Sequence, residues 1–155
     1  MKPLEKAIEI ALKAHAGQLD KARAPYVLHP LRIMLKMTSE IEMMAAVLHD
    51  VVEDGQGWTF DRLAKEGIPR DVIEAVAHLT KRPEEEDDYE RFIRRAATHP
   101  VACQVKLADL EDNMDLRRIA SPSTWPFEFH NKVPKDHSAP GCQVVVMVRV
   151  STRST

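Results

Sequence analysis

No apolar run in this chain of 155 residues approaches the roughly 20 residues that a membrane-spanning helix needs, so no membrane partner is expected. The first stretch, MKPLEKAIEIALKAHAG, has no uninterrupted apolar core of a signal peptide. Glu5, Lys6, Glu9 and Lys13 break it at helical spacing, and secretion is not expected. Cysteine is scarce: Cys103 and Cys142 lie far apart and form no CxxC pair. Neither a zinc knuckle nor a disulfide framework is indicated, and a cytoplasmic, reducing location fits. An excess of one charge is also missing, since 22 Lys and Arg face 24 Asp and Glu for a net charge of −2. That balance argues against a nucleic-acid partner while leaving room for a local basic pocket around one small anion. What is present, 44% hydrophobic and 30% charged residues, is the composition of a globular chain long enough to bury a core.

Apolar positions recur at helical spacing through most of the chain. Leu4, Ala7, Ile8, Ala11 and Leu12 predict a helix that Pro3 opens and Gly17 stops. Residues 18–29 form a polar connector, and Pro30 is expected to open a second helix carrying Ile33, Met34 and Met37, with His29 at its mouth. A third helix is expected from about Glu40 to Glu53, with Ile41, Met44, Ala45 and Leu48 buried and Gly55 and Gly57 ending it. Thr59 caps a short helix closed by Gly67, and Pro69 introduces another with Val72, Ile73, Val76 and Leu79 on one face. The acidic run from Glu84 to Asp88 is expected to be a solvated loop before a helix from Tyr89 to about Thr98. After Pro100 a long helix places Leu107, Leu110 and Met114 on one stripe, with Asp109 and Asn113 at its edge. The fold class is therefore all-α. Residues 121–155 depart from it: four prolines forbid a long helix there, and QVVVMVRV at 143–150 reads as a strand.

One apolar helix is interrupted by chemistry. LHDVVED at 48–54 sets His49 and Asp50 side by side and adds Glu53 and Asp54 within a turn. Buried charges are costly unless they are paired or bind a cation, so the stretch needs partners. His29, at a helix start where a neutral imidazole is favoured, and Asp109, an acid on a mostly apolar helix, are the candidates. Two imidazoles and two carboxylates suit a divalent first-row ion, with manganese, iron(II) and zinc all fitting. On a helix Glu53 and Asp54 lie one turn beyond His49 and Asp50, where a carboxylate can orient a water or take its proton. Lys21, Arg23 and Lys106 lie close in sequence to these residues and can neutralise phosphate oxygens. Phosphoester or pyrophosphate cleavage follows. His15 continues the stripe of the first helix and is read as a core histidine, while His78 and His99 read as helix-end chemistry although they are able to offer a second metal site. Met34, Met37, Met43, Met44 and Met114 are read as packing residues.

HAGQ at 15–18, PYVLHP at 25–30, HDVVED at 49–54 and KLADLEDN at 106–113, in that order, resemble an HD-domain phosphohydrolase of the RelA/SpoT-type hydrolase branch, including its small alarmone hydrolases. The resemblance covers about residues 4 to 120 and implies an HD-type helical bundle over residues 1–120, a single manganese ion, and removal of the 3′-pyrophosphate from guanosine tetra- or pentaphosphate, a nucleotide substrate of the stringent response. Carried over by position, the metal ligands are His29, His49, Asp50 and Asp109, and Glu53 and Asp54 activate or orient the water. Asn113 matches a substrate-contacting asparagine and Lys21 the lysine of a basic pair before PY. Asp20 stands where the family usually has an arginine associated with the nucleotide base, with Arg23 nearby but displaced.

Two other readings stay open. One keeps the metal site but changes the substrate to another nucleotide phosphate, NADPH or a nucleoside monophosphate. The other is a non-catalytic nucleotide-sensing module, against which the intact pair Glu53 and Asp54 speaks. The tail at 121–155, rich in Pro and Val, does not resemble the family; it is expected to be irregular, with disorder as one form of that, and it fits a frame-altered or foreign end whose Val-rich segment can pair with a copy of itself. Homo-oligomerisation is left open.

Overall fold

In the computed structural model, which describes residues 1–115, the chain forms eight α-helices: α1 (Pro3–Ala14), α2 (Leu28–Met34), α3 (Glu40–Leu48), α4 (Val51–Asp54), α5 (Phe60–Lys65), α6 (Arg70–Leu79), α7 (Tyr89–Ala97) and α8 (Pro100–Met114). A 3₁₀ turn, Pro83–Glu85, lies between α6 and α7. The only β pairing among the described residues is an isolated bridge between Leu19 and Pro25. The all-α expectation holds for this part of the chain. The expected strand at 143–150, the end of the domain boundary at 120 and the tail at 121–155 lie outside the described residues.

α3 is the axis of the bundle. Ser39 starts it with a capping box, Oγ accepting from Glu42 N at 3.3 Å and Glu42 Oε2 accepting from Ser39 N at 3.0 Å. Its residues Met44 to Leu48 are all buried, and α1, α2, α6 and α8 pack around it. Ile10 of α1, Ile33 of α2, Val72 and Val76 of α6 and Val105 of α8 close on it as one apolar core. Phe92, Ile93 and Cys103 form a smaller cluster between α7 and α8. No helix among the described residues is long and apolar enough to cross a membrane.

Local chemistry moves several boundaries. α2 starts at Leu28 rather than at Pro30, because the carbonyls of Pro25 and Tyr26 already accept from Leu28 N and His29 N at 3.1 and 2.9 Å. Pro30, lacking an N–H, is tolerated in that first turn. His29 is thereby a helical residue. The helix expected over 40–53 is two helices with a break at His49 and Asp50. The Ala46 carbonyl, which a continuing helix would offer to the Asp50 N–H, accepts instead from the His49 ring at 2.8 Å. Ile41 is 38% exposed and Met114 50% exposed, so neither is the packing residue that spacing suggested. The acidic run is only partly solvated. Glu85 is buried and bound by the Arg95 guanidinium through Nε and Nη2, each at 2.7 Å, while Asp88 caps α7 by accepting from Arg91 N.

Candidate metal and hydrolase site

Three segments meet at one buried polar centre. α2 supplies His29, the break between α3 and α4 supplies His49 and Asp50, and α8 supplies Asp109. His29, His49 and Asp50 each offer an atom within 4.8 Å of the others, and this is the one group of three or more such side chains among the described residues. Asp109 joins them: its Oδ1 lies 3.2 Å from His29 Nε2 and 3.9 Å from His49 Nε2. Asp50 Oδ2 lies 2.9 Å from His49 Nε2 and 3.9 Å from His29 Nε2. His49 Nε2 is buried, and despite the Asp50 oxygen at 2.9 Å it makes no well-aligned hydrogen bond, an arrangement that costs free energy unless something binds there. Two nitrogens and two carboxylates gathered this closely suit a borderline divalent ion.

The electrostatics agree. Burial by itself would lower the His49 pKa, but the charges of Asp50 and Asp109 push it up to about 9. The pocket therefore attracts positive charge. Burial opposes the charged form of Asp109 too, and Lys106, with the two imidazoles, more than offsets it and holds this carboxyl far below the usual range. Lys106 Nζ lies 2.8 Å from Asp109 Oδ2, and Asn113 Nδ2 donates to Asp109 Oδ1 at 2.7 Å. Both residues, read from sequence as substrate contacts, are thus engaged on a carboxylate of the centre.

The imidazoles are held from behind by unlike partners. His49 Nδ1 faces the Ala46 carbonyl, whereas His29 Nδ1 lies 2.7 Å from Asp112 Oδ2. Asp112 is in turn gripped by Arg32, Nε at 2.8 Å on one oxygen and Nη2 at 3.0 Å on the other. Tyr26 donates its hydroxyl to Asp50 Oδ2 at 2.5 Å. Sequence reasoning missed Asp112, Arg32 and Tyr26. The available signal was the spacing of Asp109 and Asp112, three apart on one helix face.

Glu53 and Asp54 sit on α4 at the exposed edge of the centre. Partial burial, helped by the negative charge of Asp50, raises both carboxyl pKa values, which makes them better proton acceptors than free carboxylates. Glu53 Oε2 accepts from Lys81 N at 3.3 Å. Lys21 and Arg23 lie in the connector before Tyr26, and both are exposed. Arg23 adopts φ 63°, a left-handed conformation unusual for a non-glycine residue, inside a turn where Asp20 Oδ1 accepts from Ala24 N at 2.9 Å. His15 is buried as expected and half satisfied: Nδ1 meets Gln18 Oε1 at 2.8 Å, and Nε2 has no partner. His78 and His99 do approach, with ring centroids 4.9 Å apart, but each spends a ring nitrogen on helix-end backbone, Glu74 O and Ala102 N.

No family model matches the chain. It is 32% identical over 122 residues to the guanosine-3′,5′-bis(diphosphate) 3′-pyrophosphohydrolase of Aquifex aeolicus, covering 72% of this chain and 17% of that protein. Against the bifunctional (p)ppGpp synthase/hydrolase SpoT of Escherichia coli K12 it is 29% identical over 126 residues, 74% of this chain and 18% of that one. The chain thus spans less than a fifth of the length of these curated relatives. A solved structure of a metazoan SpoT orthologue, described as hydrolysing ppGpp, matches with a TM-score of 0.68 and 29% identity, over 83% of this chain and 77% of that chain. With its two histidines and two aspartates brought together from α2, the α3–α4 break and α8, the chain belongs to the RelA/SpoT-type hydrolase family.

Proposed function

We propose that this chain is a metal-dependent phosphohydrolase that removes the 3′-pyrophosphate from guanosine tetra- or pentaphosphate. The observation that carries the reading is the convergence of His29, His49, Asp50 and Asp109 around the unsatisfied Nε2 of His49. The names of the relatives supply the substrate class. Those four side chains would hold one divalent ion, with manganese our assignment and iron(II) or zinc the alternatives. Such an ion polarises phosphoryl oxygens and acidifies a nearby water.

The chain's own residues supply the rest. Glu53 and Asp54, with their raised proton affinity, orient the attacking water and accept its proton. Lys106 and Asn113 hold Asp109 in place, and the charge of Lys106 adds to the positive potential met by the phosphates. Lys21 and Arg23 are assigned to the substrate's outer phosphates or base. The test is a nucleotide panel that includes ppGpp and NADPH, run with manganese and with chelator: pyrophosphate released from ppGpp only with metal is the expected result. Absence of any metal-dependent release would reject the reading.

A second reading, another nucleotide phosphate as substrate, is favoured by one observation. Asp20 is spent on its own turn, its Oδ1 on Ala24 N and its carbonyl on Arg23 N at 2.9 Å each, so this position braces the loop where relatives are expected to carry a base-contacting arginine. Orthophosphate from a different member of the panel would support it.

A further inference from the structure

We propose that Asp112 is a positioning residue for the centre: clamped by Arg32, its carboxylate fixes the His29 ring in the tautomer that turns the Nε2 lone pair toward the other three donors. The proposal rests on the metal reading above and adds to it a part that no sequence motif assigned.

The geometry is specific. Asp112 is 4% exposed, so its charge needs compensation, and it receives it from both sides. Arg32 binds both carboxylate oxygens in a fork, and His29 Nδ1 reaches Oδ2 at 2.7 Å. An ionised carboxylate only accepts hydrogen bonds, so Nδ1 carries a proton, and in the neutral ring that binds an ion the lone pair is then on Nε2. His29 Nε2 is the nitrogen that faces Asp109 Oδ1 at 3.2 Å. A carboxylate behind an imidazole also raises its strength as a ligand. His49 lacks this support, because its Nδ1 meets a neutral carbonyl. The two imidazoles are consequently unequal, and His29 is the more strongly donating and more rigidly aimed of the pair. A purely structural tie between α2 and α8 would need Arg32 and Asp112 alone. The third member, His29, links that tie to the centre.

The full chain, stripped with chelator and titrated with Mn²⁺, tests this. Asp112→Asn is expected to weaken Mn²⁺ affinity by about 10- to 100-fold. In the metal-free protein, nitrogen-15 NMR of the neutral His29 ring should show the proton on Nδ1 in the wild type and a mixed tautomer in the variant. A structural role alone would shift thermal stability without moving the tautomer. Unchanged Mn²⁺ affinity together with an unchanged His29 tautomer in Asp112→Asn overturns the proposal. Should that variant not fold, Arg32→Gln, at a side chain 33% exposed, carries the test: it should lose several-fold in Mn²⁺ affinity, and full affinity overturns the proposal. A wild-type chain that takes up no Mn²⁺ overturns the metal reading itself, a result distinct from wild-type binding that Asp112→Asn fails to change.

Discussion

Asp109 Oδ1 lies 3.2 Å from His29 Nε2, joining residues eighty positions apart on α8 and α2. This contact closes the centre, because it brings a third helical segment to the pair that His49 and Asp50 form at the α3–α4 break. Its consequences can be measured.

Replacing Asp109 by alanine removes a donor and strips the part-buried Lys106 ammonium, bonded to Asp109 at 2.8 Å, of its nearest counter-charge. Metal content by mass spectrometry should fall from one ion per chain toward none, and turnover should fall with it. Asp109→Asn keeps one oxygen acceptor, for Lys106 or for Asn113, and should be the more stable of the two, by about 1 to 3 kcal/mol in denaturant melts.

Glu53→Gln and Asp54→Asn change charge at the exposed edge of the centre while leaving the four proposed ligands intact. Each should slow turnover by about 10²- to 10⁴-fold with metal stoichiometry unchanged. A variant with full activity would contradict the roles assigned here, and one that loses its metal would move that acid into the ligand set.

Glu85 provides a pH test remote from the proposed metal site. The hydrogen bonds from Arg95 hold its carboxyl down, from an ordinary 4.5 to about 2. A depressed folded-state value means that the stabilisation is complete above about pH 4.5 and is lost as pH falls toward 2. Thermal melts should therefore show wild-type stability declining through that window. Glu85→Gln should be less stable at neutral pH by about 3 kcal/mol, with a flatter profile in the acid range.

Gly55 is required by space. Its φ of −85° suits any residue, but a Cβ there would sit 2.3 Å from the Val51 carbonyl oxygen and 3.0 Å from Ala14 Cβ, where α4 ends against α1. Gly55→Ala should cost about 1 to 3 kcal/mol in a denaturant melt. Gly57, at φ 73°, faces no backbone within that range, and its cost would come from conformation instead.

Periodicity and caps made most of the bundle legible. The stripe of Val72, Val76 and Leu79 is buried on α6, and Thr59 caps α5 through Arg62 N, as their spacing and residue types predicted. These features depend on residues within a turn or two of one another. The break at His49 and Asp50 was not legible, since an imidazole taking the Ala46 carbonyl leaves no mark on hydrophobic spacing. Glu85 was misjudged for a related reason: its partner, Arg95, is ten residues away on another helix.

The sequence alone determined that three separated motifs, around His29, His49 and Asp109, carry histidine or carboxylate beside apolar residues, because isolated ionisable groups among core residues demand partners whatever the fold. It also settled most of the helices, through local propensity and capping, though not the break at His49 and Asp50. Only the tertiary structure decided which acid serves which imidazole. Asp109 and Asp112 share one helical face, and the packing of α2 on α8 turns the first toward His29 Nε2 and the second toward Nδ1. That division depends on the relative position of two helices, a distance in space that no local spacing encodes.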